Sequence, residues 1–369
     1  MKVLHVVWSA HFAGAEKLVL RVSDEMVVKG LVDSVAVVLI EVQQVETAGE
    51  NALSTVPGDY RVSKLYKSSR NLLNFISTIS HAIKDFGPDV IHSHDYRATI
   101  ATRISLSLLF GRKPKHVATI HDAYPFMKRI NLRSLIAFIA LTLPNEVTVV
   151  SESVRDQMWF RKLLSKKIKV IPNPYLGIRK LEDLRSTNLD KVMHSKEYDF
   201  VFVGRLVPKK HPEIFCEVCS RLGAKCVVVG DGELRTQLER EYGSRVTFLG
   251  FRKDVEDIML RSRFLFLPSE YEGFGLVLIE AMANFCIPVV TPWTGVEKII
   301  EHGKTGYIVH WSIESMTQEL SKLLYEYSTT AKNVLENFPH YLKNFSLDSY
   351  VLKIAKIYET VNGNRSERR

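Results

Sequence analysis

Residues 268–282 read Pro268-Ser269-Glu270-Tyr271-Glu272-Gly273-Phe274-Gly275-Leu276-Val277-Leu278-Ile279-Glu280-Ala281-Met282, and this stretch decides the predicted fold. The preceding residues 263–267 are mostly apolar and end at a proline, which is typical of a buried strand in a parallel sheet. Leu276, Ile279 and Met282 then recur at helical spacing, so we expect a helix to begin near Gly275. The stretch therefore predicts a strand, a glycine-rich turn and a helix.

The turn has the features of an anion-binding site. Backbone N–H groups at a helix start behind a glycine-rich turn attract phosphates. An ordinary strand–helix connection would explain Glu272, because a helix N-terminus favours an acidic residue. It would not explain Gly273 and Gly275 as well, so the turn favours a phosphate-containing ligand.

Length and composition are those of a globular protein. The 369 residues indicate roughly two domains, and the 46% apolar and 25% charged content is ordinary. No window approaches the ~20 apolar residues of a membrane span, and we expect no signal peptide, because the first residues read as a strand without a long apolar region or a small-residue cleavage site. The four cysteines resemble small core residues of a reducing compartment. We therefore expect a cytoplasmic location, with peripheral attachment to the cytoplasmic face of a membrane as an option.

Positive charge is concentrated in the first half. Residues 1–175 hold 23 Lys and Arg against 15 Asp and Glu, whereas residues 176–369 hold 27 against 26. This asymmetry favours anionic lipid, an anionic acceptor or nucleic acid as a partner. No nucleic-acid-binding motif is present, so we expect no nucleic acid. Residues 126–144 are apolar behind three cations, and residues 161–167 form a second cationic cluster. The apolar segment is either a buried helix or an interfacial patch on an anionic membrane.

Strands and helices alternate in both halves, which predicts an α/β protein with two doubly wound Rossmann-like domains. We place the domains at 1–175 and 176–345, and residues 179–198 form the loop into the second domain. Residues 346–369 form a C-terminal helix that can pack back on the first domain, followed by a polar tail. A dinucleotide-binding domain is excluded, because the loop after the first strand has one glycine, Gly14, instead of three.

The two carboxylates across the turn resemble the E-x7-E motif of retaining GT-B glycosyltransferases, glycosyltransferase family 4. The match is Glu272, seven intervening residues and Glu280. In that family the first Glu contacts the donor sugar and the second contacts the ribose hydroxyls. The intervening backbone contacts sugar and diphosphate, which assigns donor binding to Phe274, Gly275 and Leu276.

Further matches place more site residues. Gly204-Arg205, followed by Lys210, resembles the family's diphosphate clamp, with Lys209 as the competing lysine. His121 resembles the histidine near the donor sugar's outer hydroxyls, and the loop at Gly14 resembles a signature that approaches donor phosphate or acceptor. The strand ends at Gly230 and Phe251 match the region that holds the nucleotide base. His92 and His94 either line the acceptor side or are solvated loop residues, and we favour solvated or supporting positions for them.

The resemblance implies a retaining glycosyltransferase whose two domains face each other across a cleft. It would move a sugar from a UDP- or GDP-sugar to a glycan or lipid-linked acceptor, in cell-surface polysaccharide or lipopolysaccharide biosynthesis. The catalytic residues would be His121, Glu272, Arg205 and Lys210. Because the cations stabilise the leaving diphosphate, we expect no metal or other cofactor. The alternatives are a sugar-nucleotide epimerase of the same fold, which would need additional carboxylates, and a non-catalytic sugar-nucleotide-binding protein.

Overall fold

The computed structural model describes residues 1–8, 14–40, 61–122, 124–177 and 183–363. The chain forms two compact units. The first consists of Met1–Asn173 together with Leu347–Arg369, and the second of Pro174–Ser346. The division after Asn173 lies two residues before the boundary expected from the sequence, and the C-terminal helix belongs to the first unit.

The first unit is built on a parallel seven-stranded sheet. Its strands lie side by side in the order β3-β2-β1-β4-β5-β6-β7. Most of its central strands are apolar runs buried on both faces, as parallel strands covered by helices require. The strands are β1 Lys2–Val7, β2 Ser34–Ile40, β3 Lys64–Ser68, β4 Val90–His94, β5 Lys115–Ile120, β6 Glu146–Val149 and β7 Ile168–Val170.

The second unit contains a parallel six-stranded sheet in the order β10-β9-β8-β11-β12-β13. The strand predicted from the apolar run 263–267 is β11, at the centre of this sheet. The strands are β8 Tyr198–Val203, β9 Cys226–Val229, β10 Val246–Gly250, β11 Ser262–Leu267, β12 Ile287–Val290 and β13 Tyr307–Ile308.

Helices connect the strands of both sheets. In chain order they are α1 Gly14–Val28, α2 Leu72–Phe86, α3 Asp95–Ser107, α4 Leu132–Thr142, α5 Glu152–Asp156, α6 Leu189–His194, α7 Pro212–Leu222, α8 Arg235–Tyr242, α9 Val255–Leu260, α10 Leu276–Ala283, α11 Ile313–Tyr325, α12 Tyr327–Tyr341 and α13 Leu347–Asn362. In the part of the chain that the structure describes, none of these helices is both long enough and apolar enough to cross a bilayer.

Two local predictions were wrong or incomplete. The described part of the expected loop 179–198 contains α6, whose N-terminus is capped by Asn188 through a 3.0 Å bond to the Lys191 N–H. Six residues are too short to show apolar periodicity, so only the cap could have indicated this helix. The sequence also gave no sign of β3, because an edge strand needs little apolar surface and Leu65 is 37% exposed.

The four cysteines are buried and free. Burial raises the pKa of the Cys216 and Cys286 thiols to about 12, so both remain protonated at neutral pH. This confirms the prediction that the cysteines are core residues.

Candidate active site

The candidate site of the second unit lies where β11 ends and α10 begins. Gly275 immediately precedes α10 with φ at 79°, in the left-handed region that favours glycine. A Cβ here would also lie 3.3 Å from Cδ1 of Leu278. The N-terminus of α10 carries a partial positive charge, so an anion fits at this turn.

A poorly exposed ion pair joins this turn to the loop after β8. Nζ of Lys210 lies 2.5 Å from Oε1 of Glu272, and the side chains are 15% and 8% exposed. β8 and β11 are adjacent strands, so the loops at their carboxyl ends meet. Lys209 instead lies over the ring of Tyr271, with Nζ 5.1 Å from its centroid. Lys210 is therefore the lysine that reaches Glu272.

Two glycines allow the loops after β8 and β9 to approach each other. A Cβ on Gly230 would lie 1.9 Å from the Gly204 carbonyl oxygen, and one on Gly232 would lie 2.4 Å from that of Leu206. Both positions exclude side chains because backbone occupies the space. Beside them the side chain of Arg205 is exposed and, among the described residues, has no ion-pair or hydrogen-bond partner. Its guanidinium is available to a ligand.

The remaining donor-site candidates differ in how exposed their side chains are. The Phe274 side chain is buried and packs against Phe345, with ring centroids 5.8 Å apart. Only its backbone can therefore meet a ligand. Phe251 is 77% exposed beyond the end of β10, whereas Leu276 and Glu280 are half-buried within α10.

In the first unit, hydrogen bonds join the carboxyl ends of β4 and β5. Nε2 of His121 lies 2.9 Å from Nδ1 of His94, and the backbone N–H of His121 donates to Asp95 at 2.9 Å. Asp95 has φ at 69°, an uncommon conformation for a residue with a Cβ. Burial raises the pKa of its carboxyl to about 6. Asp95 was not among the predicted site residues, although it follows a buried strand directly.

For His92 and His94 we favoured solvated or supporting positions, and the solvated alternative was wrong, whereas His94 does support His121 through a 2.9 Å hydrogen bond. The two side chains are 1% and 4% exposed, and burial lowers the pKa of both rings well below the ordinary value. They lie on β4, whose central place in the sheet covers both of its faces. His121 is half-buried, and burial lowers its pKa to about 4. All three rings are therefore neutral at pH 7.

The predicted Gly14 is the first residue of α1. The preceding residues 9–13, which carry the rest of the signature expected for that loop, lie outside the described residues. Glu16, in the first turn of α1, is 4% exposed. Its charge lies close enough to His121 to raise the pKa of that ring, which opposes the larger lowering caused by burial. The sequence reasoning did not select Glu16.

Three histidines of the first unit have the spacing of a possible metal site. One ring nitrogen from each of His5, His92 and His94 lies within 4.8 Å of the others. Both nitrogens of His92, however, are already 2.6 Å from hydroxyl groups, those of Tyr358 and Thr119. Hydrogen bonding accounts for this cluster without a metal.

Comparisons with known proteins agree with this architecture. The model of the family "Glycosyltransferase Family 4" matches residues 12–175, and that of "Glycosyl transferases group 1" matches residues 186–339. The two matches lie on the two structural units in turn.

Among curated proteins, the chain is 26% identical to UDP-Gal:alpha-D-GlcNAc-diphosphoundecaprenol alpha-1,3-galactosyltransferase of Escherichia coli, over 82% of each chain. It is 23% identical to GalNAc-alpha-(1->4)-GalNAc-alpha-(1->3)-diNAcBac-PP-undecaprenol alpha-1,4-N-acetyl-D-galactosaminyltransferase of Campylobacter jejuni, over 78% of this chain and 79% of the relative. Among solved structures, Anabaena Alr3699/HepE in complex with UDP and glucose has a TM-score of 0.78 at 18% identity, covering 98% of this chain and 100% of that one. The fold is GT-B, and the chain is a glycosyltransferase that belongs to glycosyltransferase family 4.

Proposed function

We propose that this glycosyltransferase transfers a hexosyl unit from a UDP-sugar to a lipid-linked glycan at an anionic membrane surface, with retention of configuration. The observation that carries the membrane part is the exposed apolar face of α4. The relatives support the substrates: the Escherichia coli enzyme uses UDP-Gal and a diphosphoundecaprenol-linked sugar, and the Anabaena protein binds UDP.

α4 exposes a continuous apolar stripe. The large apolar side chains along it are 38–77% exposed and recur every three or four residues, at Leu132, Leu135, Ile136, Ile139 and Leu143. The opposite face is buried. A capping box at the N-terminus holds the helix in place, because Asn131 accepts from the Ser134 N–H and the Ser134 hydroxyl accepts from the Asn131 N–H, both at 2.9 Å. The rival explanation, that this segment is simply core, does not account for these exposures.

Cations flank this stripe at both ends. Lys128 and Arg129 are exposed just before the helix. At its other end, Lys167 donates to the carbonyl of Thr142, which places the cationic segment 161–167 beside the C-terminus of α4. Lys162 and Lys166 are exposed there and have no ion-pair partner in the described part of the chain. Apolar side chains between cations suit the boundary of an anionic bilayer, where each cation contributes about 1 kcal/mol.

The second unit supplies the groups for a sugar-nucleotide donor. Departure of UDP leaves negative charge on the diphosphate, and Arg205, Lys210 and the N-terminus of α10 can stabilise it where it develops. These fixed cations make a metal ion unnecessary in the proposed reaction. Glu272, held by Lys210, would orient the sugar hydroxyls. Retention would follow if the acceptor hydroxyl attacks the anomeric carbon on the same face from which the diphosphate departs. The departing phosphate would take up the proton of that hydroxyl.

Activity is tested with a panel of UDP- and GDP-hexoses and a polyprenyl-diphosphate-linked glycan. We expect transfer from a UDP-hexose without added metal, with EDTA present, and NMR of the product should show the anomeric configuration of the donor. Inverted product would refute retention. Interconversion of the free sugar nucleotide would support the epimerase alternative. Donor binding without transfer to any acceptor and without donor hydrolysis would support a non-catalytic protein.

Membrane docking is tested by sedimentation with vesicles of phosphatidylcholine alone or mixed with phosphatidylglycerol. Binding should require the anionic lipid and decline as salt increases. The triple variant Leu132→Ser, Ile136→Ser, Ile139→Ser should lose binding, whereas the control Leu73→Ser, at a site 75% exposed on α2, should keep it. Equal sedimentation with both vesicle types, or an unchanged triple variant, would refute docking through α4.

A further inference from the structure

One face of the first unit's sheet carries a buried layer of histidines. His5 on β1 is the cross-strand neighbour of His92 on β4, and His94 lies two residues further along β4 on the same face. His5 is 1% exposed, and Tyr358 of α13 closes over this layer with its hydroxyl 2.6 Å from Nδ1 of His92. Nothing in the proposed reaction uses these side chains directly.

Three of the rings form a head-to-tail chain that ends at the candidate site. Nδ1 of His5 is 2.9 Å from Nε2 of His94, and Nδ1 of His94 is 2.9 Å from Nε2 of His121. Successive ring centroids are 5.2 Å apart, with interplanar angles of 24° and 25°. The rings therefore meet edge to edge, as N–H···N hydrogen bonds require. The chain runs from fully buried His5 to half-buried His121.

Each ring in this chain carries a single proton. Burial lowers the pKa of His5 to about 3 and that of His121 to about 4, and places the pKa of His94 well below its ordinary value. A neutral imidazole has one donor and one acceptor nitrogen. Because each N···N contact needs one donor, all the N–H groups must point the same way along the chain, either toward His121 or toward His5.

The buried end decides between the two directions. Nε2 of His5 is buried and has no hydrogen-bond partner among the residues that the structure describes. If the donors ran inward, that atom would carry an N–H with no acceptor. If they run outward, it is an unprotonated lone pair. Orphaned buried N–H groups are rarer in proteins than under-satisfied acceptors, so the outward direction is favoured.

We propose that His5 and His94 are positioning residues, which donate in sequence toward His121 and hold it in the Nδ1–H tautomer. Nε2 of His121 is then an acceptor bonded to His94, and Nδ1 carries the proton. Among the described residues Nδ1 has no hydrogen-bond partner, and the His121 side chain is only half-buried. His121 thus presents a hydrogen-bond donor to its ligand. That the ligand atom is a hydroxyl oxygen of the donor sugar rests on the proposed function; the tautomer does not.

A second chain on the same face indicates one tautomer of His92 independently. The Thr148 hydroxyl donates to the carbonyl of Ala118 at 3.5 Å, and the hydroxyls of Thr119 and Thr148 are 2.5 Å apart. With Thr148 donating to the carbonyl, Thr119 donates to Thr148 and accepts from Nε2–H of His92. Nδ1 of His92 then accepts from the hydroxyl of Tyr358. Burial raises the pKa of this hydroxyl well above the ordinary value. His92 is therefore expected to be the Nε2–H tautomer, opposite to its neighbour His94.

This pattern also separates the proposal from a metal site. Zinc–nitrogen bonds of about 2.0–2.1 Å in a tetrahedral site imply nitrogen–nitrogen separations of about 3.3–3.4 Å, longer than the 2.9 Å between His5 and His94. Metal binding would also break both hydrogen bonds of His92. The observed distances therefore fit protons between the rings.

The tautomers can be read directly from long-range proton–nitrogen NMR spectra of the full chain labelled with 15N-histidine, without substrate. Assignment uses single histidine variants. We expect His5, His94 and His121 as Nδ1–H and His92 as Nε2–H. An Nε2–H or charged His121 would overturn the proposal, and so would movement of the His5, His92 and His94 ring signals on addition of zinc chloride. Because no substrate is involved, this result is independent of whether the proposed transfer occurs.

Variants of His5 test its action through His94. His5→Leu removes the first donor, and we expect a mixed tautomer at His121 together with a three- to tenfold rise in the KM for the sugar nucleotide. His5→Asn keeps an amide N–H near the position of Nδ1 and should restore both. The control is His116→Leu, because His116 is equally buried on the same sheet but bonds to Ser93 instead of this chain. If His5→Leu folds and leaves the His121 spectrum unchanged, or if His116→Leu changes it equally, the positioning role is refuted.

Discussion

Lowering the pH from 7 to 5.5 should strongly destabilise the first unit, because five of its histidines are neutral in the folded state. Burial lowers the pKa of His5 and His116 to about 3 and that of His121 to about 4. It lowers the pKa of His92 and His94 well below the ordinary value. In the unfolded chain these rings titrate near 6.5. Below that pH the unfolded state binds more protons than the folded state, so stability is lost as the pH falls.

The size of this effect follows from linkage. A histidine with an unfolded pKa near 6.5 and a much lower folded pKa costs somewhat more than 1 kcal/mol, on the order of RT ln 10, of unfolding free energy between pH 7 and 5.5. Five such groups cost about 6 kcal/mol. Asp95 acts in the opposite direction, because its raised pKa of about 6 lets the folded state take up a proton first. It returns about 1 kcal/mol over the same interval. The net loss of about 5 kcal/mol is comparable to the whole stability of many domains.

Urea unfolding followed by tryptophan fluorescence measures the loss. Of the four tryptophans, Trp293 and Trp311 lie in the second unit, so replacing both by phenylalanine leaves Trp8 and Trp159 as reporters of the first. His116→Leu removes one titrating ring and should reduce the pH-dependent loss by about 1 kcal/mol. A loss below about 1 kcal/mol between pH 7 and 5.5 would refute the reasoning, since the folded unit would then accept protons on these rings as readily as the unfolded chain.

Three further predictions concern the second unit. Lys210→Ala removes the cation of the poorly exposed ion pair and should lower turnover about a hundredfold. Lys209→Ala should change turnover less than about threefold, within the roughly ±0.5 kcal/mol of an ordinary surface substitution. Equal losses in steady-state assays would contradict the assignment of Lys210. Arg205→Ala, at an exposed position, should reduce turnover. It should shift the melting temperature by no more than about a degree or two, within the roughly ±0.5 kcal/mol of surface substitutions. A larger fall in the melting temperature would show that this residue is structural. Gly230→Ala places a Cβ 1.9 Å from a backbone oxygen and should lower the free energy of unfolding in urea by several kcal/mol. Gly223→Ala, where only the left-handed backbone is strained, should lower it by about 1 kcal/mol. Similar losses for the two variants would show that the loop at Gly230 can move aside.

The sequence by itself determined the architecture of each unit and the turn at Gly275. Apolar runs such as 263–267 are local patterns, and a strand buried on both faces needs no information from distant residues to be recognised. The turn is local too, because a left-handed residue before a helix favours glycine wherever the chain goes next. The same reasoning explains why β3 and α6 were missed, since an exposed edge strand and a six-residue helix carry almost no apolar pattern.

Only the tertiary structure decided which side chains meet and which faces stay exposed. Lys209 and Lys210 are adjacent and chemically identical, and the packing of β8 beside β11 determines that Lys210 reaches Glu272. His92 became a core residue because Tyr358, 266 positions later in the chain, covers it. The apolar segment containing α4 was compatible with a buried or an exposed helix, because hydrophobicity records a cost of exposure to water and not the presence of a partner that removes it.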